Sequence, residues 1–428
     1  MSSTMTALEM LLKPKHASRN DLVPMYEQVF ARTIFGKELP TLAFSRGRAA
    51  LWAILKAAGV DSTSEVILPA YTCETVPMAV KFAGAKCVYV DTAPNTYNVP
   101  LSYVNQSITP NSRVIICQHT YGIMQPVQEW NNVAEEKGIL LIEDRCQLVK
   151  DISNSYTESL LGKAAYFSTH FSKPYSTAQG GMAVFSDNQL YTEAKQERSN
   201  FESNGDYNRA RNLALQVLLY SIMVRPTTRA IVGSVYRWAQ RTGMIRGTIS
   251  ADEYGKEMPI DYLSRVTNLQ AALGIEQLSY WNQYYRHRQN LTRFYIEQLI
   301  SLGVDVSSLK SGNDDPALLM VPVLVDNKKE LLRRAATKAL PIGTWFDRCP
   351  AHIRKENLDL YDYRQGQCPR TENMISKEIH LLTASWVNDK RARRAVEFIK
   401  RYAEFTNCTV QFHFRSLTLS GANRLCFL

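Results

Sequence analysis

The first half of the chain alternates short apolar runs with segments whose apolar residues recur at helical spacing. Four runs predict β-strands: SEVILPAYTC (64–73), KCVYVD (86–91), RVIICQHTYG (113–122) and ILLIED (139–144). Three neighbouring segments predict α-helices: AALWAILKAAGV (49–60), ETVPMAVKFAGA (74–85) and VQEWNNVAEEKG (127–138). Apolar strands that alternate with helices indicate parallel crossovers and a sheet buried on both faces. The predicted fold class is therefore α/β with a mainly parallel sheet.

The pattern changes in the second half. Residues 207–255 form an insertion-like helical region rich in arginine, and QAALGIEQLSYWNQYYRHRQNLTRFYIEQL (270–299) is strongly helical. Beyond it, ALLMVPVLV (317–325) and AVEFIKRYAEF (395–405) predict a smaller α+β domain. The predicted division is an N-terminal segment 1–38, a large domain 39–285, a small C-terminal domain 286–405 and a tail 406–428 of no assigned role.

Composition narrows the class of protein. Hydrophobic residues make up 45% and charged residues 21% of the 428 residues, which is typical of a soluble globular protein. No apolar run is long enough to cross a bilayer, and the N-terminus lacks the succession of a secretory signal. The 8 cysteines are scattered without a CxxC pair, so neither a metal site nor a disulfide framework is expected and a reducing cytoplasm fits best.

The net charge of +10 calls for an anionic partner or a solvated basic surface. The basic residues concentrate at 225–246 and 390–394, without the aromatic interleaving of nucleic-acid-binding modules, so no nucleic acid is expected. A phosphorylated small molecule, an anionic membrane or a solvated basic face remain open. The apolar run 213–224, with flanking arginines and Trp238, suits peripheral contact with a membrane, and its alternative is an ordinary buried helix pair.

The predicted sheet locates a ligand site before any family is considered. In open parallel sheets, ligands bind beyond the carboxyl ends of the strands. Three stretches follow predicted strands in this way: 71–74, 119–122 and 143–147.

The most informative pair of residues is Asp144 and Lys173. Asp144 ends the run ILLIED, and Lys173 follows it by 29 residues in the Ser- and Gly-rich loop YFSTHFSKPYSTAQGG. A lysine amine forms an imine with the aldehyde of pyridoxal phosphate, and a carboxylate pairs with the pyridine nitrogen and keeps it protonated. The pair therefore predicts a pyridoxal-phosphate site.

Eight pieces of the sequence, between about residues 39 and 405, resemble a known family in order and spacing. They are SRGRAALWAILKAAGV, VILPAYTCETV, GAKCVYVDTAPNTYNV, HTYG, IEDRCQ, FSTHFSKPYSTAQGG, SRVTNLQAALGIEQL and IGTWF. The chain thereby resembles the DegT/DnrJ/StrS sugar aminotransferases, which are fold-type-I pyridoxal-phosphate enzymes. This resemblance implies a large cofactor-binding domain on a mainly parallel sheet and a smaller C-terminal α+β domain.

The resemblance assigns roles by position. Lys173 matches the Schiff-base lysine, Asp144 the partner of the pyridinium, and Gln147 the residue near the cofactor's phenolic oxygen. Ser168 matches a phosphate-binding serine, although Gln147 and Ser168 could each satisfy local backbone groups instead. Gly47, Arg48 and Ala49 match the glycine-led start of a helix whose N–H groups meet the phosphate. This match also has a physical basis, because helix N-termini attract anions.

Three positions depart from the family pattern. Cys73 stands where an aromatic residue usually stacks on the cofactor, so either Tyr71 or His119 substitutes for it or the ring is held less tightly, and a loop role is the alternative for His119. Leu263 replaces an asparagine that usually reaches across the dimer to the phosphate. Arg48 stands where a small residue is usual, and we hypothesise that its guanidinium takes over phosphate pairing.

The resemblance implies transfer of an amino group from an amino acid such as glutamate to a nucleotide-linked keto sugar, in polysaccharide or glycoconjugate biosynthesis. A homodimer is implied, with Arg265 and the segment QAALGIEQL at the interface. A sugar 3-dehydratase is the nearest alternative, but the resembling dehydratases carry histidine in place of Lys173. A keto-cyclitol aminotransferase and a non-catalytic cofactor-binding regulator remain further alternatives.

Overall fold

Seven strands build the central sheet of the computed structural model, which describes residues 2–13, 19, 21–150, 160–201, 206–223, 258–259, 262–309 and 316–406. The strands are β1 (Thr41–Phe44), β2 (Glu65–Pro69), β3 (Lys86–Val90), β4 (Ser112–Gln118), β5 (Leu140–Asp144), β6 (Ala164–Ser168) and β7 (Gly181–Phe185). Their spatial order is β1-β7-β6-β5-β4-β2-β3, and only β7 runs antiparallel to its neighbours. The predicted α/β class with a mainly parallel sheet is confirmed.

The register of the sheet brings three polar side chains to one edge. Gln118 at the end of β4 pairs with Asp144 at the end of β5, and Asp144 pairs with Tyr166 in β6. Because these strands are parallel, their carboxyl ends meet at the same edge. This edge is where a ligand site was predicted.

Nine helices precede or cover this sheet in the described residues. They are α1 (Ser2–Leu12), α2 (Val23–Phe35), α3 (Gly47–Ala57), α4 (Thr75–Ala83), α5 (Leu101–Gln106), α6 (Val127–Lys137), α7 (Asn188–Ser199), α8 (Asp206–Met223) and α9 (Asn268–Leu278). In α3 every residue except Lys56 is buried, because the helix packs against β6 and β7 as well as α4 and α7. A helix buried on all sides holds its first turn firmly against the sheet edge.

The strongly helical stretch 270–299 forms two helices rather than one. The first helix, α9, ends at Leu278, and α10 (Trp281–Ser301) begins three residues later. Trp281 is buried, packs edge-on against Tyr175 and donates a hydrogen bond of 3.1 Å to the carbonyl of Lys150. Burial of this large side chain fixes the start of α10 at a bend that helical periodicity alone does not reveal.

A second, antiparallel sheet follows in the C-terminal third. Its strands β8 (Met320–Leu324), β9 (Ile342–Gly343) and β10 (Glu378–Leu382) are ordered β8-β10-β9. The accompanying helices are α11 (Lys328–Thr337), α12 (Pro369–Lys377) and α13 (Asp389–Tyr402). The predicted domain boundary at 286 falls inside α10, and the division into domains stays a prediction.

The apolar run 213–224 lies mostly in α8. Leu213, Ala214 and Val217 are buried in a cluster shared with α1 and α9, whereas Leu215 is 41% exposed. Within the described part of the chain, none of the helices combines the length and apolar character needed to traverse a bilayer. The basic stretch 225–246, Trp238 and the tail from residue 407 lie outside the described residues.

Candidate active site

A cavity of about 240 Å³ opens at the carboxyl edge of the large sheet. Seven predicted site residues line it: Gly47, Arg48, Cys73, Asp144, Gln147, Ser168 and Lys173. Trp345 and His352, from the C-terminal third, also line it. The lining therefore unites segments from widely separated parts of the sequence.

Asp144 is held rigidly at the base of the cavity. It is 4% exposed, and its carboxylate accepts hydrogen bonds from the backbone N–H of Cys146 at 2.9 Å and from the Tyr166 hydroxyl at 2.5 Å. Both donors lie in neighbouring segments of the sheet edge, so they fix the direction of the carboxylate. A charged acceptor makes these hydrogen bonds stronger than neutral ones.

Lys173 projects from the loop between β6 and β7. The backbone N–H of Lys173 donates to the carbonyl of His170 at 2.9 Å, which tightens the loop. The amine lies 4.8 Å from the ring centroid of Trp345, a cation–π contact that places an aromatic face beside the amine. Burial and the nearby charges of Lys173 and Arg48 lower the pKa of His170 to about 4, so His170 is neutral at physiological pH.

The first turn of α3 faces the same cavity. The first backbone hydrogen bond of the helix is donated by Ala50 N to the carbonyl of Arg46, at 3.3 Å. The N–H groups before Ala50 therefore come too early in the helix to bond within it. A Cβ on Gly47 would lie 2.9 Å from Ser168 Cβ and 3.2 Å from the carbonyl of Phe167. Only glycine lets this helix start approach β6 so closely, and the arrangement suits an anion.

Gln147 is positioned by Tyr121, a residue in the left-handed backbone region with a φ of 60°. The Tyr121 N–H donates to Gln147 Oε1 at 2.5 Å, and the Tyr121 hydroxyl donates to Glu378 at 2.8 Å. Burial alone would raise the pKa of Glu378, but the hydrogen bonds from His380 and Tyr121 bring it below its usual value. A carboxylate from β10 thus supports a residue of the cavity.

Two predicted aromatic contacts are corrected by the structure. His119 is fully buried, lies 3.2 Å from Glu143 through Nε2 and accepts the N–H of Gln125 through Nδ1. Tyr71 is 1% exposed, and its hydroxyl meets that of Tyr121 at 2.5 Å. Neither residue lines the cavity, whereas the aromatic side chains of Tyr166 and Trp345 do.

The remaining predicted residues occupy distinct environments. Ala49 is fully buried in α3 and does not line the cavity. The Arg48 guanidinium lies 5.4 Å over the ring of Tyr262. Burial and the neighbouring Glu74 raise the pKa of Cys73 to about 12, so its side chain is a neutral thiol. Arg265 donates to the backbone carbonyls of Ser199, the last residue of α7, and of Phe201, two residues further on, which is a helix-capping role.

Sequence reasoning missed several lining residues, among them Gln118, Tyr166, Trp345 and His352. Trp345 lies in the piece IGTWF, so the signal was present without an assigned role. Tyr166 lies two residues before Ser168 on β6, and side chains two residues apart on a strand point to the same face.

The donor set of the cavity fits pyridoxal phosphate. Asp144 supplies a fixed carboxylate for a pyridine nitrogen, Lys173 an amine for an aldehyde, and the Gly47 helix start a cradle for a phosphate that a Cβ would obstruct. Together with the mainly parallel sheet, these residues define the class, a fold-type-I pyridoxal-phosphate protein.

The chain belongs to the DegT/DnrJ/EryC1/StrS aminotransferase family, whose profile matches residues 2–400. It is 28% identical over 175 residues to the GDP-perosamine synthase of Escherichia coli O157:H7, a match covering 41% of this chain and 48% of that protein. It is 22% identical over 388 residues to the GDP-perosamine synthase of Vibrio cholerae, which covers 90% of this chain and 92% of that protein. Among solved structures, NtdA from Bacillus subtilis with bound cofactor PMP aligns with a TM-score of 0.68 at 20% identity, covering 94% of this chain and 81% of that chain.

The family match confirms the predicted family, aminotransferase class and pyridoxal-phosphate cofactor, and the solved structure confirms the predicted fold class. The match to the Escherichia coli relative spans about half of that protein's length. The likeness to NtdA concerns the fold alone.

Proposed function

We propose that this protein transfers an amino group from an amino acid such as glutamate to a keto sugar carried on a nucleotide, in polysaccharide or glycoconjugate biosynthesis. The observation that carries the proposal is the convergence of Lys173, Asp144 and the first turn of α3 on one cavity. The named activity of the relatives, GDP-perosamine synthesis, supports a sugar as the acceptor. A spore coat polysaccharide biosynthesis protein of Bacillus subtilis, 22% identical over 388 residues, supports the pathway class.

The residues divide the work as follows. When bound, the cofactor supplies an electron sink for the carbon that loses its proton. Asp144, oriented by Tyr166 and Cys146, holds the proton on the pyridine nitrogen. The amine of Lys173 would hold the cofactor's aldehyde, and as general base and acid it would accept a proton from the donor's α-carbon and return it.

Other residues bind the cofactor or keep water out of the cavity. The N–H groups at the start of α3 hold the phosphate, together with Ser168 beside Gly47. Trp345 and His352 cover part of the cavity, and Gln147, which accepts the Tyr121 N–H, would meet the phenolic oxygen. Water exclusion strengthens the charge pairs within the site.

Absorption spectroscopy of the reconstituted protein tests the proposal. Addition of glutamate should replace the absorbance of the lysine-bound cofactor with that of its amine form, and a keto sugar nucleotide should reverse the change. Lys173→Ala should abolish both changes, while Lys163→Ala, an exposed lysine before β6, should leave them intact. Absence of any change across a panel of amino donors would reject transamination.

The alternatives give different results in the same experiment. A sugar dehydratase would release water from its substrate without net amino transfer, and the presence of Lys173 disfavours it. A keto-cyclitol aminotransferase would show the first half-reaction but select a different acceptor. A relative described as a pleiotropic regulatory protein, 33% identical over 145 residues, supports the alternative of a non-catalytic regulator. Such a regulator would bind the cofactor without responding to amino donors.

We further propose a homodimer in the cytoplasm. The six described cysteines are free thiols, which agrees with a reducing compartment. Light scattering of the purified protein at about twice 48.6 kDa tests the dimer. Peripheral membrane contact receives less support, because Leu213, Ala214 and Val217 of α8 are buried against other helices. Flotation of the protein with anionic vesicles tests membrane contact.

A further inference from the structure

Glu74 is a second carboxylate of the cavity, and the proposed function leaves it without a role. It lies directly before α4, is 5% exposed and lines the same cavity as Lys173 and Asp144. Asp144 is held by two donors, the Cys146 N–H and the Tyr166 hydroxyl. Glutamate side chains are almost never buried to this degree unless they are paired, so the surroundings of Glu74 call for an explanation.

The described residues give the Glu74 carboxylate only one donor, and that donor is weak. The Cys73 thiol donates to Glu74 Oε2 at 3.3 Å, and a thiol is a poor hydrogen-bond donor. The side chain of Glu74 does not cap α4, and none of the ion pairs found in the described part of the chain includes it. Because a buried carboxylate is costly without donors, this position favours a ligand that donates hydrogen bonds.

The backbone and the neighbouring side chains hold Glu74 in place. Its carbonyl accepts the N–H of Met78 at 3.2 Å, which anchors the residue to the first turn of α4. The Thr75 hydroxyl donates to Cys73 Sγ at 3.3 Å. Burial and the charge of Glu74 raise the pKa of Cys73 to about 12, so the thiol keeps the proton that it donates. A carboxylate fixed in this way on a helix start can discriminate between ligands.

The cofactor offers Glu74 no donor. In the proposed function Asp144 meets the ring nitrogen, Lys173 the aldehyde and Gln147 the phenolic oxygen. The remaining groups of the cofactor are a methyl group, which is a poor donor, and a phosphate, whose negative charge a carboxylate repels. The partner of Glu74 therefore belongs to a substrate.

Of the two substrates, the sugar matches Glu74. An amino donor such as glutamate brings carboxylates, which are acceptors of like charge, and its amine is directed to the carbon that Lys173 holds. A sugar ring carries several hydroxyls, each able to donate to a charged acceptor. We propose that Glu74 accepts a hydrogen bond from a hydroxyl of the keto sugar and thereby selects acceptors that carry this hydroxyl. The inference rests on the proposed function, because it assumes that the acceptor is a sugar.

Calorimetric titration of the holoenzyme tests the contact without turnover. The probes are UDP-glucose, GDP-mannose and the monodeoxy analogues of each, which carry no ketone and cannot accept an amine. In wild type, loss of one particular hydroxyl should weaken binding roughly 10- to 100-fold, as loss of a hydrogen bond to a charged group predicts. In Glu74→Gln the same loss should cost less than about tenfold, because a neutral amide oxygen is a weaker acceptor. In Glu74→Ala, which has no acceptor, the parent and that analogue should bind equally.

The comparison of parent with analogue separates a specific contact from a structural role, which would weaken every ligand alike. Glu129→Gln, an exposed glutamate in the first turn of α6, is the matched control and should discriminate like wild type. Cofactor absorbance reports whether each variant keeps its site. Equal weakening of all ligands in the two Glu74 variants, wild-type indifference to every hydroxyl, or failure of wild type to bind either parent would overturn the inference.

The two proposals fail separately. A wild-type enzyme that transaminates normally, while Glu74→Gln and Glu74→Ala keep the wild-type discrimination, would reject only the role of Glu74. A wild-type enzyme that reads a sugar hydroxyl through Glu74 but shows no half-reaction with any amino acid would reject only the transamination.

Discussion

The hydroxyl of Tyr121 donates a hydrogen bond of 2.8 Å to Glu378, and this contact joins the edge of the large sheet to the first residue of β10. Glu378 also lies 3.0 Å from His380 Nδ1 and accepts the Thr344 hydroxyl at 3.0 Å. Because the backbone of Tyr121 holds Gln147, the buried carboxylate supports a residue of the cofactor cavity from the C-terminal side.

Tyr121→Phe should destabilise the protein while preserving ring packing. The substitution removes one donor to a fully buried carboxylate and one partner of the Tyr71 hydroxyl, at a cost of about 1–3 kcal/mol in the free energy of unfolding. Denaturant unfolding measures the change. Tyr191→Phe is the control, because the Tyr191 hydroxyl makes no hydrogen bond with any described residue, and equal stability of the two variants would contradict the role of Glu378.

Gly47→Ala should weaken cofactor binding as well as destabilise the protein. The new Cβ would approach Ser168 Cβ to 2.9 Å and force the start of α3 away from β6, an overpacking cost of about 1–3 kcal/mol. Both the cofactor affinity, measured by fluorescence titration, and the free energy of unfolding should decrease. Gly366→Ala serves as a control, since it meets no atom within 4 Å and costs only the strain of its left-handed backbone. A Gly47→Ala protein with normal cofactor affinity would show that the first turn of α3 does not bind the phosphate.

The sequence predicted the large sheet because each strand is a short apolar run with polar or turn-forming residues at its ends. Asp144 could be located at the sheet edge by the same logic, since it ends such a run and parallel strands align their carboxyl ends. The assignment of Lys173 rested on its pairing with Asp144 and on the resemblance, because a loop lysine carries no periodic signal.

Strand parity explains why His119 was misplaced. Gln118 and Asp144 are partners in the register of β4 and β5 and face the cavity, so the adjacent residues His119 and Glu143 face the other way and meet behind the sheet. The contact of Trp345 with Lys173 had no comparable local signal. It arises from packing between segments far apart in the sequence, which a single sequence does not encode in its spacing.

Arg48→Ala separates two roles of one side chain. If the guanidinium pairs with the phosphate, as hypothesised from the sequence, the variant should release the cofactor about tenfold or more faster, consistent with the loss of a charge-assisted hydrogen bond. If the guanidinium serves mainly to pack over Tyr262, at 5.4 Å, unfolding should become easier without a change in cofactor release. Stopped-flow loss of cofactor absorbance measures the first effect, and Lys56→Ala on the last turn of the same helix is the control.

Glu143 should make the protein sensitive to acid in a defined window. It is fully buried behind the sheet, lies 2.9 Å from Arg145 Nη2 and accepts the backbone N–H of Gly162 at 3.1 Å. Burial would raise the pKa of Glu143, but Arg145 and His119 lower it from 4.5 to about 2. A carboxylate with a depressed pKa in the folded state contributes stability above its unfolded pKa and loses that contribution as the pH falls through the folded pKa.

The wild-type free energy of unfolding should therefore decrease by about 3 kcal/mol from this group as the pH is lowered from about 4.5 to about 2. Glu143→Gln should remove that part of the pH dependence and cost about 3–5 kcal/mol at neutral pH, because it breaks the buried ion pair between Glu143 and Arg145. Glu135→Gln, on the exposed surface of α6, should change neither quantity. Denaturant unfolding of all three proteins across this pH range is the measurement. An unchanged slope in Glu143→Gln would show that the carboxylate does not carry the acid sensitivity, whatever its loss does to stability at neutral pH.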